Sequence, residues 1–422
     1  MTFQLPIKAL FVCSYSNHRL LFSGLKDYFE NPFFISFENI NDPLKAFRFK
    51  KLENDNTQYL ELDYKYKKPL NRLPIPLIWR YMLRVNPVLE SAIKNCMPDV
   101  IFLGTDNSFM ERLTIHLAKK LNIKTAFIPD GWLALAQKPK IKYCIPYLRY
   151  YIRYAVRYIL ERCGFGYLAT CMYATGDSDY KFLWGPSSAE IIDNLKHTRS
   201  QKIFCGNVRY DKYIYDDEFT RRIKASVCAK LNLSRDRRIV TFFTTNMDQL
   251  RGLAFTEQIQ ISQVKLLLDK LNLHKCQVLI KPHPNERDEK YYVFSDKASV
   301  VYHKFNLDSI DLTTVSDICV TNISSTFLEA VILKKLSVVL KTGFRGTQIE
   351  EYFPTVKGLI NIETEQELSA FLGKIDKNES FYQQLIKQQQ AYLPGYYNIS
   401  GSAAESIIQF LKNELERGKI DG

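Results

Sequence analysis

The feature that most constrains the fold is the repeated alternation of short apolar runs with longer amphipathic stretches in both halves of the chain. The runs are short and rich in β-branched residues, as in strands that are buried on both faces of a parallel sheet. The stretches between them, such as residues 110–121 and 256–271, carry apolar residues at helical spacing. This alternation predicts an α/β fold with doubly wound sheets. The predicted strands are residues 7–13, 100–104, 125–128, 239–243, 277–280, 300–302, 318–320 and 337–340.

The length of the chain predicts two domains, because 422 residues exceed what one hydrophobic core usually supports. We expect a first domain over residues 1–215 and a second over residues 216–422. The polar, basic segment 216–238 is expected to carry the chain between them. A hydrophobic content of 46% with 24% charged residues excludes global disorder.

Charge and cysteine usage indicate the surroundings of the protein. The net charge of +13 favours an anionic partner. The nine cysteines lack CxxC spacing and the six histidines are dispersed, which argues for reduced thiols and against a zinc site. Residues 1–6 lack the features of a signal peptide, and no apolar run is long enough to span a membrane. We therefore expect a cytoplasmic protein without a bound metal and, since no nucleic-acid module is recognisable, without a nucleic-acid partner.

Polar residues follow three of the predicted strands in the second half. His283 stands in a Lys-Pro-His-Pro turn after the strand at 277–280, and Ser324 begins a Ser-Ser-Thr sequence after the strand at 318–320. The carboxyl ends of parallel strands share one edge, where doubly wound sheets bind ligands, and groups at a helix start bind phosphate well. This edge is the predicted donor site. Its candidate residues are Thr244, Thr245, Asn246, Lys281, His283, Pro284, Ser324, Ser325, Thr326 and Glu329.

Two passages give this pattern a family resemblance. The segment 206–211, Gly-Asn-Val-Arg-Tyr-Asp, resembles the Gly-x-Pro-Arg-x-Asp passage of bacterial surface-polysaccharide transferases, which include enzymes that use CDP-glycerol. The His283 and Ser324 sequences fit these enzymes and also resemble bacterial sialyltransferases and polysialyltransferases. Asp130-Gly131 is similar to the acidic-acidic-Gly motif of the sialyltransferases, with Pro129 in place of the first acidic residue. The resemblance implies the GT-B architecture, in which two Rossmann-like domains face a central cleft.

The implied chemistry assigns roles to the candidates. An acceptor hydroxyl must lose its proton as it attacks, and Asp130 is the candidate base. The departing nucleotide phosphate develops negative charge, which His283 and the Ser-Ser-Thr hydroxyls would stabilise without a metal. Glu329 is expected to accept hydrogen bonds from ribose hydroxyls, and Arg209 to pair with an anionic substrate group.

Each candidate also has a purely structural interpretation. Asp-Gly sequences favour turns, serines cap helices, and Glu329 by itself resembles a solvated helix residue. Arg209 and Asp211 together are also consistent with a structural ion pair. The joint arrangement, rather than any single residue, favours function.

Residues 138–162 combine seven basic residues with six tyrosines and one acid. Arg149, Arg153 and Arg157 fall four apart, so on a helix they form one stripe beside an apolar face. Such a helix suits the headgroup region of an anionic inner leaflet. A packed helix with solvent-facing arginines is the equal alternative.

These observations predict an inverting GT-B glycosyltransferase, peripheral on the inner membrane. It would move an acidic sugar, sialic acid or a Kdo-like sugar, from a CMP-activated donor to a glycan or glycolipid of the bacterial surface, such as capsule or lipopolysaccharide. No cofactor is expected besides this nucleotide donor. The first alternative is a CDP-glycerol or CDP-ribitol phosphotransferase, which the passage 206–211 favours. Further alternatives are a non-hydrolysing UDP-sugar 2-epimerase and a non-catalytic membrane or glycan-binding protein.

Overall fold

In the computed structural model, the chain divides into two compact units. Unit 1 comprises the described residues within Met1–Leu133, Lys138–Asp211 and Tyr396–Gly422, and unit 2 comprises those within Lys212–Gly395. The structure describes residues 4–14, 16–36, 58–61, 75–106, 108–132, 159–160, 162, 174, 176–195, 199–234, 236–245, 257–272, 276–283, 286, 289–294, 300–302, 307–322, 324–344 and 356–418.

Unit 1 contains a parallel sheet of seven described strands in the order β3-β2-β1-β4-β5-β6-β7. The order reverses between β1 and β4, which are direct neighbours with Val12 opposite Leu103. The strands are β1 (Ala9–Cys13), β2 (Phe33–Ser36), β3 (Gln58–Glu61), β4 (Val100–Leu103), β5 (Lys124–Phe127), β6 (Tyr180–Leu183) and β7 (Gln201–Phe204).

Helices lie against both faces of this sheet because successive side chains of a strand point to opposite sides. Phe11 of β1 belongs to one apolar cluster with Phe22 and Phe102, whereas Val12 belongs to a second cluster with Leu89. Both faces of β1 are therefore buried, as the continuous apolar run predicts. The helices of the first half are α1 (Ser16–Ser23), α2 (Ile75–Cys96), α3 (Phe109–Lys120) and α4 (Pro186–Leu195).

Unit 2 contains a second parallel sheet, with six described strands in the order β10-β9-β8-β11-β12-β13. Its order reverses between β8 and β11. The strands are β8 (Ile239–Phe243), β9 (Gln277–Lys281), β10 (Val300–Tyr302), β11 (Ile318–Thr321), β12 (Leu336–Leu340) and β13 (Ile360–Ile362). The helices are α5 (Asp211–Tyr215), α6 (Asp217–Lys230), α7 (Glu257–Asn272), α8 (Ser309–Val315), α9 (Thr326–Ile332), α10 (Glu365–Lys377) and α11 (Glu379–Tyr392).

The segment 216–238, expected to be a connection, contains helix α6 and belongs to unit 2. Asp216 caps this helix by accepting a hydrogen bond from the Phe219 backbone N–H at 2.8 Å. Val227 and Leu231 are buried in an apolar cluster with Ile239 and other residues of unit 2. The expectation was wrong because a largely polar helix needs only a few buried apolar residues to join a core.

The end of the chain returns to unit 1 as helix α12 (Ala403–Glu416), although we expected residues 216–422 to form one domain. Asp211 anchors this helix by accepting hydrogen bonds from the backbone N–H groups of Ala403 at 2.9 Å and Ala404 at 2.8 Å. Apolar residues of α12, including Ile407, complete the cluster that contains Phe11. Asp211 therefore holds the start of this helix.

Within the ranges that the structure describes, none of the helices combines the length and the apolar character that crossing a membrane requires. Most of the basic segment 138–162 lies outside the described residues. Its interpretation as a membrane-binding helix stays a prediction.

Candidate active site

The candidate donor site lies at the carboxyl edge of the unit 2 sheet, where the strand order reverses. Phe243, the last residue of β8, stands opposite Lys281 of β9 and opposite Thr321 of β11. The three strands thus end at the same level, and the residues that follow them are neighbours. This is the position at which doubly wound sheets bind ligands.

The loop after β9 is held by a buried carboxylate, that of Glu286. The backbone N–H of His283 donates to Thr244 Oγ1 at 2.8 Å and to Glu286 Oε2 at 3.3 Å. The Thr244 hydroxyl donates to the same carboxylate oxygen. Glu286 Oε1 accepts from Gln260 Nε2 at 2.9 Å and from Lys290 Nζ at 2.9 Å. These bonds fix the backbone on which the half-buried His283 imidazole is mounted.

Gln260 of helix α7 joins the ends of β8 and β11. Its Oε1 accepts from the Thr245 backbone N–H at 2.9 Å and from Asn322 Nδ2 at 3.3 Å. Asn322 is 1% exposed, and its Oδ1 has no hydrogen-bond partner in the part of the chain that the structure describes. Thr244 and Thr245 are therefore both tied to a polar network beneath the edge.

The Ser-Ser-Thr sequence begins helix α9. Ser324 Oγ and Thr326 Oγ1 are 2.8 Å apart, and the Thr326 backbone N–H donates to Ser324 Oγ at 3.3 Å. Ser325 is the residue before the helix, but its side chain forms no capping hydrogen bond. The two hydroxyls of Ser324 and Thr326 thus lie together at the end of β11.

Glu329 and Lys281 are both buried rather than solvated. Glu329 is 6% exposed, and its Oε2 lies 3.5 Å from the Ser309 hydroxyl of α8. Lys281 is 7% exposed. Burial lowers the pKa of Lys281, and the Asp308 carboxylate opposes that effect. A desolvated ammonium near this edge favours an anionic ligand.

Asp130 lies at the corresponding edge of unit 1, after β5. The carbonyl of its neighbour Pro129 accepts from Asn207 Nδ2 at 3.1 Å and from Trp184 Nε1 at 3.3 Å. Asn207 and Trp184 thus support the loop that carries Asp130. The Asp130 side chain is 30% exposed, so its carboxylate can meet a substrate.

His18 lies behind Asp130 and is 1% exposed. Its Nε2 is 3.9 Å from Asp130 Oδ2, and its Nδ1 accepts from the Ser14 backbone N–H at 3.2 Å. Burial lowers the pKa of His18, and the Asp130 carboxylate opposes this. The imidazole is therefore neutral near pH 7.

The remaining candidates divide between the described and undescribed parts of the chain. Arg209 is partly buried in a short 3₁₀ turn, Val208–Tyr210, and its backbone N–H donates to Asn207 Oδ1 at 2.9 Å. Asn246 and Pro284 lie outside the described residues. No group of three or more His, Cys, Asp or Glu in the described ranges is arranged to hold a metal ion.

The sequence alone did not identify His18, Glu286 or Gln260. Glu286 stands three residues after His283 in the same loop, and His18 stands five residues after the end of β1. Both residues stand in the segment that follows the carboxyl end of a strand, as the predicted candidates do. That shared position is the signal that was available for both.

Two doubly wound parallel units, each with polar residues at its carboxyl edge, are the features of the GT-B fold. Solved structures agree with this. A histidine variant of the wall teichoic acid polymerase TagF has a TM-score of 0.61 at 14% identity, with 98% of this chain and 90% of that chain covered. Anabaena Alr3699/HepE, in complex with UDP and glucose, has a TM-score of 0.53 at 13% identity, covering 96% and 100%. A glycosyltransferase from Rickettsia africae has a TM-score of 0.54 at 13% identity, covering 97% and 99%.

The sequence model of one family matches residues 172–411, more than half of the chain. The chain belongs to the CDP-glycerol:poly(glycerophosphate) glycerophosphotransferase family. It is accordingly an enzyme that transfers groups, as the sequence predicted. No protein with a curated description matches the chain significantly. The family supports the CDP-glycerol alternative better than the CMP-activated acidic sugar that we preferred from the sequence.

Proposed function

We propose that this enzyme transfers a polyol phosphate, such as glycerol phosphate, from a CDP-linked donor to a hydroxyl of a bacterial surface polymer. The observation that carries the proposal is the family match over residues 172–411, which spans the whole polar edge of unit 2. A crystal of TagF, a protein of the same fold class, was soaked with CDPG.

In this proposal unit 2 binds the donor. Ser324 and Thr326 donate hydrogen bonds to the diphosphate, and the nearby Lys281 contributes positive charge. His283 stabilises the charge that develops on the departing phosphate. Glu329 binds the ribose hydroxyls, and Thr244 and Thr245 position the loop. Arg209 of unit 1 is assigned to an anionic group of the acceptor.

The reaction is a displacement at phosphorus. The acceptor oxygen forms a bond to the phosphorus that carries the polyol, and the bond from that phosphorus to the oxygen of CMP breaks. Asp130 takes the acceptor proton, and CMP leaves with the negative charge. Because glycerol phosphate has no anomeric carbon, the inverting stereochemistry expected for sugar transfer does not arise.

A calorimetric binding panel tests the donor class. We expect CDP-glycerol or CDP-ribitol to bind more tightly than CMP-sialic acid, CMP-Kdo or UDP-N-acetylglucosamine, in EDTA and with Mg²⁺. Preference for a CMP-sugar would restore the acidic-sugar transferase, and preference for UDP-N-acetylglucosamine would favour the epimerase.

Turnover tests the site. His283→Ala should lower kcat by about 10²-fold because it removes a group that stabilises leaving-group charge. His116→Ala, which changes a partly buried histidine on α3 of unit 1, is the matched control and should keep normal turnover. Equal activity of both variants would remove His283 from the mechanism.

We also propose that the basic segment 138–162 holds the enzyme on the anionic inner leaflet, where a lipid-linked acceptor would be reached. What supports this is the spacing of Arg149, Arg153 and Arg157 in the sequence, which on a helix would place them in one stripe beside an apolar face.

A further inference from the structure

His18 is a buried histidine whose place in the fold leaves it little freedom. It follows β1 on helix α1, and its ring packs against Gly104 at the end of β4. A Cβ atom added at Gly104 would lie 2.4 Å from the His18 ring. Phe22, one turn further along α1, has its ring centroid 6.3 Å from that of His18. The ring is thus fixed between two strand ends and its own helix.

The hydrogen bond at Nδ1 determines which nitrogen carries the proton. The Ser14 backbone N–H donates to Nδ1, so that nitrogen is the acceptor of the pair. A neutral imidazole then has its proton on Nε2. Nε2 is the atom that faces Asp130 Oδ2. His18 is therefore a donor directed at the carboxylate, and not a second base.

Exposure separates the roles of the two residues. The Asp130 side chain is 30% exposed, whereas that of His18 is 1% exposed, so only Asp130 can meet an acceptor hydroxyl. The Nε2 to Oδ2 distance of 3.9 Å is longer than a direct hydrogen bond. Catalytic hydrogen bonds are often long in ligand-free enzymes and shorten when substrate binds, and a bridging water also spans such a gap.

We propose that His18 is a positioning residue for Asp130: its Nε2–H holds Oδ2, so that Oδ1 is directed at the proton of the acceptor hydroxyl. This inference rests on the proposed function, in which Asp130 is the base. The acceptor proton moves to Asp130 as the new O–P bond forms and the bond to CMP breaks. His18 keeps its Nε2 proton throughout.

The test is a double-mutant cycle. His18→Phe keeps a ring but removes both nitrogens, and His18→Gln keeps an N–H close to the position of Nε2. Each is made in the wild type and in Asp130→Asn. We expect His18→Phe to lower kcat by about 10- to 100-fold, since a small misplacement of a reacting group has effects of this size. Donor KM should stay unchanged, and His18→Gln should recover much of the loss.

In the Asp130→Asn background, His18→Phe should have little further effect, because residues that act through one another are not additive. An equal loss in both backgrounds would mean a merely structural role and would overturn the proposal. Wild-type turnover by His18→Phe would overturn it as well.

A second measurement does not depend on turnover. Nitrogen-15 spectra of histidine-labelled protein, assigned with His18→Phe, should show the Nε2–H tautomer for His18. The Nδ1–H tautomer would overturn the proposal. If the wild type turns over another donor but not CDP-glycerol, the proposed function fails. The role of His18 is then tested by the same variants with that other donor. A wild type that turns over no donor overturns both.

Discussion

Replacing Glu286 should destabilise unit 2 and its candidate donor site more than replacing a surface carboxylate such as Glu257. The side chain of Glu286 is 2% exposed and accepts from Thr244, His283, Gln260 and Lys290. In Glu286→Ala, all four donors lose the Glu286 carboxylate as a hydrogen-bond acceptor. His283 N–H still reaches Thr244 Oγ1, and Lys290 still reaches Glu257 at 3.3 Å. The Thr244 hydroxyl and one Gln260 N–H lose the carboxylate acceptor.

The magnitude follows from these losses. A buried donor left without an acceptor costs about 1–3 kcal/mol, and breaking a buried charge pair costs about 3–5 kcal/mol. We expect Glu286→Ala to lower the free energy of unfolding by about 3–5 kcal/mol. Glu286→Gln keeps the volume and one acceptor oxygen, and the Thr244 hydroxyl can turn to accept from the new amide. Its cost should be about 1–2 kcal/mol.

The matched control is Glu257→Ala, which removes the other carboxylate that pairs with Lys290. The Glu257 side chain is 54% exposed, so its loss should cost no more than about 1 kcal/mol. Urea unfolding should be followed by far-ultraviolet circular dichroism, because all three tryptophans, Trp79, Trp132 and Trp184, belong to unit 1. Tryptophan fluorescence therefore reports on unit 1 separately.

The expected order of destabilisation is Glu286→Ala, then Glu286→Gln, then Glu257→Ala, with donor affinity falling in the same order. Three variants within about 0.5 kcal/mol of one another would refute the reasoning, since they would show that the network around Glu286 does not hold the loop. A loss seen only in tryptophan fluorescence would refute it as well.

Three further predictions concern unit 1 and the basic segment. Burial raises the pKa of Glu111 from 4.5 to about 7. The folded protein thus keeps a proton that the unfolded chain releases, and stability falls as pH rises from about 4.5 to about 7. Glu111→Gln should remove this fall. Its free energy of unfolding, relative to that of the wild type, should therefore rise by about 3 kcal/mol between pH 4 and pH 8, which parallel urea titrations would detect. Gly206 has φ of +86°, and a Cβ there would lie 2.9 Å from the Tyr397 ring. Gly206→Ala should cost at least about 1–2 kcal/mol in urea unfolding, whereas Gly373→Ala, in open space on α10, should stabilise by up to about 1 kcal/mol; the reverse order would contradict the fold. Charge reversal of the basic stripe to glutamate should release the protein from phosphatidylglycerol vesicles in a sedimentation assay while soluble-acceptor activity survives, and unchanged binding would place membrane attachment elsewhere. The reversed residues are Arg149, Arg153 and Arg157.

The sheets and one edge of the site were predictable because their signals are local. A short apolar run such as residues 239–243 marks a buried strand wherever it occurs. Parallel strands then bring their carboxyl ends together without any knowledge of the loops. Thr244, His283 and Ser324 therefore follow neighbouring strand ends at one edge, as the sequence predicted.

The supporting residues were not predictable because their importance depends on neighbours that are distant in sequence. In the sequence Glu286 and Gln260 are ordinary polar residues. The fold buries both of them, with Gln260 Nε2 2.9 Å from Glu286 Oε1. His18 gains its orientation from Ser14 and its close contact from Gly104, and neither is visible as a motif. Helix α12 shows which of its faces is apolar, but periodicity does not say which sheet that face will cover.

The return of α12 to unit 1 makes unit 2 an insertion within the connectivity of unit 1, since its described residues all fall between Lys212 and Gly395. During translation the seven-stranded sheet is made early, but Phe410, whose ring packs 5.1 Å from that of Tyr180 and 5.5 Å from that of Phe182, is among the last residues to emerge. Part of one apolar face of the first sheet, which α1 does not cover, therefore stays exposed until unit 2 has been synthesised. A chain truncated after Gly395 would contain all of unit 2 but would lack the helix that completes unit 1.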